Sequence, residues 1–165
     1  MNSELEELYQ QVLLDHSKRP RNYGELDGDA VRVDGDNPSC GDEIHLHVRF
    51  GTDGKVDDIK FTGQGCAISQ ASASMMTLKL KGKSPEEVGE MLAAFHDLVT
   101  HEVVDPPKML GDLRVMQGVR KFPQRVKCAM LSWRAFEQAR ELSAQGLSGA
   151  VVSTEQPEGP AAQDG

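Results

Sequence analysis

The first helix is predicted by apolar residues that recur three and four positions apart. They are Leu5, Leu8, Tyr9, Val12 and Leu13, and polar residues separate them. Because that spacing puts apolar side chains on one helix face, we expect residues 4–16 to form an amphipathic helix. Pro20 should end it, since proline cannot continue the helical hydrogen bonding.

Three short stretches then alternate between apolar and polar residues, which is the pattern of half-buried strands. The first covers residues 31–33. The second covers residues 44–50 and runs into a hairpin turn at 51–54. The third covers residues 56–61, where the first apolar residue is out of phase with the others, so a β-bulge near residues 57–58 is expected.

The helical period returns after Cys66. A helix is expected to follow this cysteine and to close at Gly82. Ser84 and Pro85 begin another, which should run to about Leu98. A loop, a short helix and a long final helix are expected after it, over residues 99–111, over residues 112–118 and from Pro123 onward.

This order of elements predicts an α+β fold. A helix comes first, then three strands, then several helices, so the strands should form a small three-stranded antiparallel sheet packed against the helices. We expect one domain over residues 1–147. Residues 148–165 are small and polar, with Gly, Pro, Glu and Gln, and are expected to be a disordered tail.

Composition narrows the function. The 165 residues carry a formal net charge of -8, which argues against nucleic acid, because phosphate binding needs a basic face. No apolar run reaches the length of about 18 residues that a membrane span needs. The N-terminus lacks the pattern of a secretory signal, so we expect a cytoplasmic protein, and a monomer is reasonable at this size.

Three cysteines are an odd number, which fits poorly with a disulfide framework. Cys40 lies in a turn with proline and glycine, Cys66 lies at a helix N-terminus, and Cys128 follows Arg125 and Lys127 on the last helix. A helix N-terminus and nearby cations both favour the thiolate. Taken singly, each cysteine could equally be an ordinary turn, cap or core residue.

Taken together, the cysteines suggest a metal site. With Asp42 they supply four anionic ligands of the kinds that zinc takes in tetrahedral sites. The long spacings require the fold to gather them. Four anions around a divalent cation leave a formal charge of about -2, which Arg125 and Lys127 could offset. His45 and His47 share a strand face that the alternation predicts to be solvent-facing, so they are weaker candidates.

The chain resembles the U-type iron–sulfur cluster assembly family (IscU and the NifU N-terminal domain), in its SufU-type branch. The matching segments are LLDHSKRPRNYG at 13–24, NPSCGD at 37–42, GQGCAISQASASMM at 63–76, LGDL at 110–113 and GVRKFPQRVKCAMLSW at 118–133. IscU-type members have a histidine where this chain has Lys127. They also lack the long segment that this chain has at about residues 92–119.

The resemblance implies a fold like those of IscU and SufE, and zinc bound by Cys40, Asp42, Cys66 and Cys128. It also implies a partner, a SufS-type PLP-dependent cysteine desulfurase that carries a persulfide. In the family a desulfurase histidine replaces Cys40 on zinc, and the freed Cys40 is the catalytic residue that accepts the sulfur. A downstream iron–sulfur scaffold would then receive it.

Two alternatives remain open at this point. The chain could be a scaffold that assembles a 2Fe–2S cluster on the same ligands, which Asp and thiolate ligation permits; Lys127 in place of histidine counts against this. It could also hold zinc for stability alone. The first reading makes it a zinc-dependent sulfurtransferase, whereas the others make it a non-enzymatic protein.

Overall fold

The computed structural model describes residues 3–146 and 149–153. The helices are α1 (Ser3–Lys18), α2 (Ala67–Leu80), α3 (Pro85–Thr100), the 3-10 helix η1 (Lys108–Lys121) and α4 (Pro123–Ala144). The strands are β1 (Val31–Asn37), β2 (Asp42–Phe50), β3 (Val56–Gln64) and β4 (Gly149–Ser153). The predicted order of one helix, three strands and several helices is confirmed. None of the described helices is long and apolar enough to cross a membrane.

The three predicted strands form an antiparallel meander. β1 pairs with β2, and β2 pairs with β3. Arg49 pairs with Asp58 while Phe50 pairs with Val56, so Asp57 is the extra residue of a bulge. The predicted bulge is therefore present, and it explains why Val56 is out of phase with the rest of its strand.

A fourth strand extends the sheet. β4 pairs in parallel with β1, and the strand order is β3-β2-β1-β4. The sequence pattern predicts three strands and a tail from residue 148, so the strand at 149–153 is a correction to both expectations for these residues. Residues 154–165, which the sequence also assigns to the tail, lie outside the described residues.

The helices differ from prediction mainly before α4. The helix start predicted at Ser84 is present, and the structure shows a capping box there, with Ser84 accepting the Glu87 N–H and Glu87 accepting the Ser84 N–H. The loop predicted at 99–111 is shorter, because η1 already begins at Lys108. Gly111, with a φ of 54°, interrupts η1, and this break separates its first turn from the short helix predicted at 112–118.

The core lies between the sheet and the helices. α2 packs against α1 and α4, and α4 packs against β1. Phe95 stacks on Trp133 with ring centroids 4.2 Å apart, which ties α3 to α4. Fully buried strand residues such as Val33 and Leu46 complete the core. This packing fixes α2 and α4, which carry two of the cysteines, against the strands that flank the third.

Candidate metal centre

The turn between β1 and β2 carries Cys40 and Asp42. β1 ends at Asn37, and the Cys40 N–H donates to the Asn37 carbonyl over 3.1 Å. Gly41 has a φ of 71°, a conformation that glycine adopts without strain. The turn leaves Cys40 half-buried and puts Asp42 inside, with only 1% of it exposed. It thus presents a reachable thiol beside a buried carboxylate.

Cys66 is the N-cap residue of α2, as the sequence predicts. Its Sγ accepts the Ser69 N–H over 3.4 Å, and its own N–H donates to Asp42 Oδ1 over 2.9 Å. Gly65 precedes it with a φ of 157°, and a Cβ there would lie 2.4 Å from Asp42 Oδ1. Only glycine therefore lets the start of α2 approach the carboxylate this closely.

Cys128 is fully buried on the first turns of α4. Its Sγ lies 3.3 Å from Cys40 Sγ. Burial raises the pKa of the Cys128 thiol strongly, and hydrogen bonding with Asp42 and Cys40 and the neighbouring Cys66 thiol raise it further. In the metal-free chain Cys128 is therefore a protonated thiol at neutral pH.

Cys40, Asp42 and Cys128 form a compact group. One ligand atom from each lies within 4.8 Å of the others. Two thiolates bound to one tetrahedral zinc at about 2.3 Å each are about 3.8 Å apart, so this group needs little rearrangement to hold the ion. Cys66 lies beside the group, but its Sγ is directed to the Ser69 N–H. Ligation by the predicted set of four stays a prediction.

Asn37 is a site residue that the sequence reading missed. It is fully buried, and its Nδ2 donates to Asp42 Oδ2 over 3.3 Å and to Cys128 Sγ over 3.5 Å. Its Oδ1 is buried and has no hydrogen-bond partner among the described residues. The available signal was its place in the NPSCGD segment, but an asparagine before proline also fits an ordinary turn.

The predicted supporting cations lie at the start of α4. Arg125 is exposed and lines a groove with Leu13 and Phe122, and Lys127 is half-buried. Their expected effect on the charge of the site stays a prediction.

The histidine prediction is wrong for one residue of the pair. His47 is buried, and its Nδ1 accepts the Leu26 N–H over 3.2 Å, because the segment before β1 covers that part of the strand. His45 is partly exposed and pairs with Asp34 over 2.8 Å. Both rings therefore have partners outside the group formed by Cys40, Asp42 and Cys128.

The donor set fits a zinc ion. Thiols and a carboxylate are zinc ligands. Asp42 and Cys128 are buried, so their ligand atoms are shielded from water. A divalent cation would favour deprotonation of the Cys128 thiol, which burial keeps protonated. Iron–sulfur clusters also take thiolate ligands, so the donor set alone does not distinguish a zinc site from a cluster site.

Comparison with known proteins identifies the family of this chain. The model of the NifU-like N terminal domain family matches residues 8–129. The zinc-dependent sulfurtransferase SufU of Bacillus subtilis is 49% identical over 137 residues, which are 83% of this chain and 92% of that protein. The iron–sulfur cluster assembly scaffold protein IscU of Streptococcus pyogenes is 47% identical over 149 residues, 88% of this chain and 92% of that one.

Solved structures share the fold. A structure described as a SUF-system scaffold protein of Fervidobacterium islandicum has a TM-score of 0.73 and 34% identity, covering 84% of this chain and 99% of its own. A NifU-like N-terminal structure from Brucella abortus has a TM-score of 0.74 at 19% identity, covering 87% and 99%, and supports the fold alone. The chain belongs to the NifU-like N-terminal domain family and is a SufU-type member of it.

Proposed function

We propose that this chain is a zinc-dependent sulfur acceptor in iron–sulfur cluster assembly. The observation that carries the proposal is the half-buried Cys40 thiol, held on a turn against the buried Cys128 and Asp42. A carrier needs one reachable thiol within a site that controls its protonation. The names of both relatives, one a sulfurtransferase and one a scaffold, support the broader role.

Four residues would hold the zinc: Cys40, Asp42, Cys66 and Cys128. When bound, zinc would supply positive charge that favours the thiolate form of its ligands. The chain itself supplies the rest. Asp42 is oriented by the Cys66 N–H, and Cys128 is fixed within α4. Cys40 alone of the thiols lies on a turn outside the helices, so it can move without disturbing either of them.

The transfer step exchanges one disulfide-type bond for another. The Cys40 thiolate attacks the outer sulfur of a persulfide on the partner's cysteine. The sulfur–sulfur bond in the partner breaks, the partner's cysteine leaves as a thiolate, and a new sulfur–sulfur bond forms on Cys40. No external oxidant or reductant is consumed. The partner is proposed to be a SufS-type PLP-dependent cysteine desulfurase, in the cytoplasm, where thiols stay reduced.

The proposal is tested with a cysteine desulfurase of the SufS type and cysteine as substrate. We expect the parent chain to stimulate alanine production and to gain one sulfur atom on Cys40, detected by mass spectrometry. Cys40→Ala should lose at least about tenfold of that stimulation, since it removes the attacking atom. Thr52→Ala is the control, because Thr52 is exposed in the hairpin turn at the other end of β2. Equal stimulation by Cys40→Ala and the parent would refute the acceptor role.

The second candidate is a scaffold for a 2Fe–2S cluster on the same ligands. The name of the Streptococcus pyogenes relative favours it. It predicts a stable visible absorption after anaerobic reconstitution with iron and sulfide, whereas the first proposal predicts about one zinc per chain by mass spectrometry of the metals. Metal analysis of the purified chain together with its visible spectrum therefore separates the two.

A further inference from the structure

We propose that Asn37 is the positioning residue of the metal centre, holding Asp42 and Cys128 in place and offsetting their negative charge. The inference rests on the zinc site of the proposed function. Asn37 is the last residue of β1 and pairs directly with Asp42, the first residue of β2. Its side chain is thus held at the base of the turn that carries Cys40.

The amide of Asn37 joins two separate parts of the site. Its Nδ2 lies 3.3 Å from Asp42 Oδ2, on the sheet, and 3.5 Å from Cys128 Sγ, on α4. An amide nitrogen has two hydrogens, so it can donate to both atoms at once. Asn37 therefore connects two members of the candidate ligand group that lie on different elements.

The Asp42 carboxylate is held at both oxygens. Oδ1 accepts the Cys66 N–H, and Oδ2 accepts the Asn37 amide. Two donors from two different elements prevent the carboxylate from rotating freely. Asn37 thereby determines which lone pairs of Asp42 face the thiols of Cys40 and Cys128. Partners of this kind commonly orient metal ligands and tune their affinity.

Charge gives the amide a second role. Thiolates and a carboxylate gathered in a buried site are costly unless donors face them. Asn37 supplies two N–H donors and no charge. The buried Oδ1, which has no partner among the described residues, is a cost of keeping an amide here. The two hydrogen bonds that Nδ2 donates, to Asp42 and Cys128, offset the cost of the unpaired Oδ1.

Replacing Asn37 separates donation from packing. Asn37→Asp keeps the shape of the side chain but removes the amide N–H donors beside Asp42 and Cys128. Asn37→Ser is smaller and keeps one donor. The control is Asn22→Asp, the same chemical change at an amide that donates to Thr77 Oγ1 over 3.0 Å, outside the metal site.

Zinc affinity is measured by competition with a chromophoric chelator, and site geometry by the visible spectrum of the cobalt-substituted chain. Asn37→Asp should weaken zinc binding about 10–100-fold and change the cobalt spectrum, and the buried carboxylate that it adds beside Asp42 should lower the melting temperature of the zinc-free chain. Asn37→Ser adds no charge, so its zinc-free chain should melt close to the parent. Asn37→Ser should lose less affinity, and Asn22→Asp should bind zinc as the parent does.

Two results would overturn the inference. One is parental zinc affinity and an unchanged cobalt spectrum in Asn37→Asp. The other is loss of the zinc-free fold in both Asn37→Asp and Asn37→Ser, which would make the residue a purely structural one. Failure of the proposed function looks different: the parent chain would bind zinc yet take no sulfur, or would bind no zinc at all.

Discussion

At the scale of single residues, Asp42 is oriented before any metal binds. Its two oxygens accept hydrogen bonds from Cys66 and Asn37. Gly65 has no side chain, and a Cβ at this position would collide with the Asp42 carboxylate. A ligand that is already in place loses little conformational freedom on binding. Cys40 lies on a turn and is the ligand that can still change conformation, as a sulfur acceptor requires.

A second polar cluster, formed by His16, Ser74 and Arg21, joins the N-terminal segment to α2. The Nδ1 of the buried His16 lies 2.7 Å from Ser74 Oγ, which also accepts the Arg21 N–H over 2.8 Å. The Ser74 hydroxyl can donate its proton to Nδ1 of a neutral His16 ring. Burial lowers the pKa of His16, as does Arg21, while Asp112 and Asp15 act in the opposite direction.

We therefore expect the free energy of unfolding to fall as the pH is lowered through 6.5, the ordinary pKa of His16. The unfolded chain binds a proton there that the folded chain excludes, and the loss continues down to the lowered pKa of the folded state. Between about pH 7.5 and pH 5.5, His16→Gln should lose less stability than the parent in urea unfolding. His96→Gln, an exposed histidine on α3, should behave as the parent does, and equal pH dependence in all three chains would contradict the assignment.

At the scale of elements, one hydroxyl joins the helices that carry Cys66 and Cys128. Ser72 Oγ on α2 donates to the Ala129 carbonyl on α4 over 2.7 Å and accepts the Trp133 Nε1–H over 3.0 Å. Both bonds are buried, so the groups have no water to replace a lost partner. This contact links the two cysteine-bearing helices directly.

Ser72→Ala should destabilise the chain by about 1–3 kcal/mol, because it leaves the Trp133 N–H buried without a partner. Ser132→Ala is the matched control, since the Ser132 hydroxyl is buried and has no partner among the described residues. The free energy of unfolding of Ser132→Ala should lie within about 0.5 kcal/mol of the parent value, or above it. Chemical denaturation measures both changes, and equal effects of the two substitutions would show that the Ser72 bonds contribute nothing.

How well the elements can be predicted depends on how local their signals are. The start of α3 follows from Ser84 and Pro85 alone, and the structure places the N-cap and the first-turn proline there. β4 has no such signal: Ala150, Val151 and Val152 are a short apolar run within a polar segment. Its pairing with β1 is between distant parts of the chain. Local pattern could not have revealed that partner.

The metal centre shows the same limit. The sequence predicts Cys40, Asp42, Cys66 and Cys128 as one site. The structure groups Cys40, Asp42 and Cys128, with Cys66 beside them, and ligation by all four stays a prediction. The sequence does not reveal Asn37, because its proposed role depends on a hydrogen bond to Cys128, which lies 91 residues away along the chain. His47 is mispredicted because strand alternation does not show that another segment covers it.

At the scale of the whole molecule, β4 covers the edge of the sheet. Five residue pairs, from Arg32 with Gly149 to Asp36 with Ser153, form its parallel ladder with β1. Without β4, the edge of β1 would present unpaired backbone groups, which readily pair with another chain. β4 is itself the new edge, but with five residues it is a short one, so we expect it to limit association between copies.

Removing residues 149–165 should lower the melting temperature and promote self-association, because it opens that edge. Removing only residues 154–165 keeps the ladder and is the control. Sedimentation velocity over a range of concentrations distinguishes the two shortened chains. If both sediment as monomers and melt at the same temperature, β4 has no protective role.

The direction of β4 has a practical consequence. Because β4 runs parallel to β1, its last residue, Ser153, pairs with Asp36, one residue before β1 ends and leads into the Cys40 turn. A fluorophore or affinity handle attached directly after Ser153 would therefore start at the end of the sheet that carries the Cys40 turn. We expect such a label to respond to zinc or to a bound partner, and it should be avoided in an assay of sulfur transfer. Immobilisation for such assays belongs at another surface, such as the exposed Thr52 hairpin.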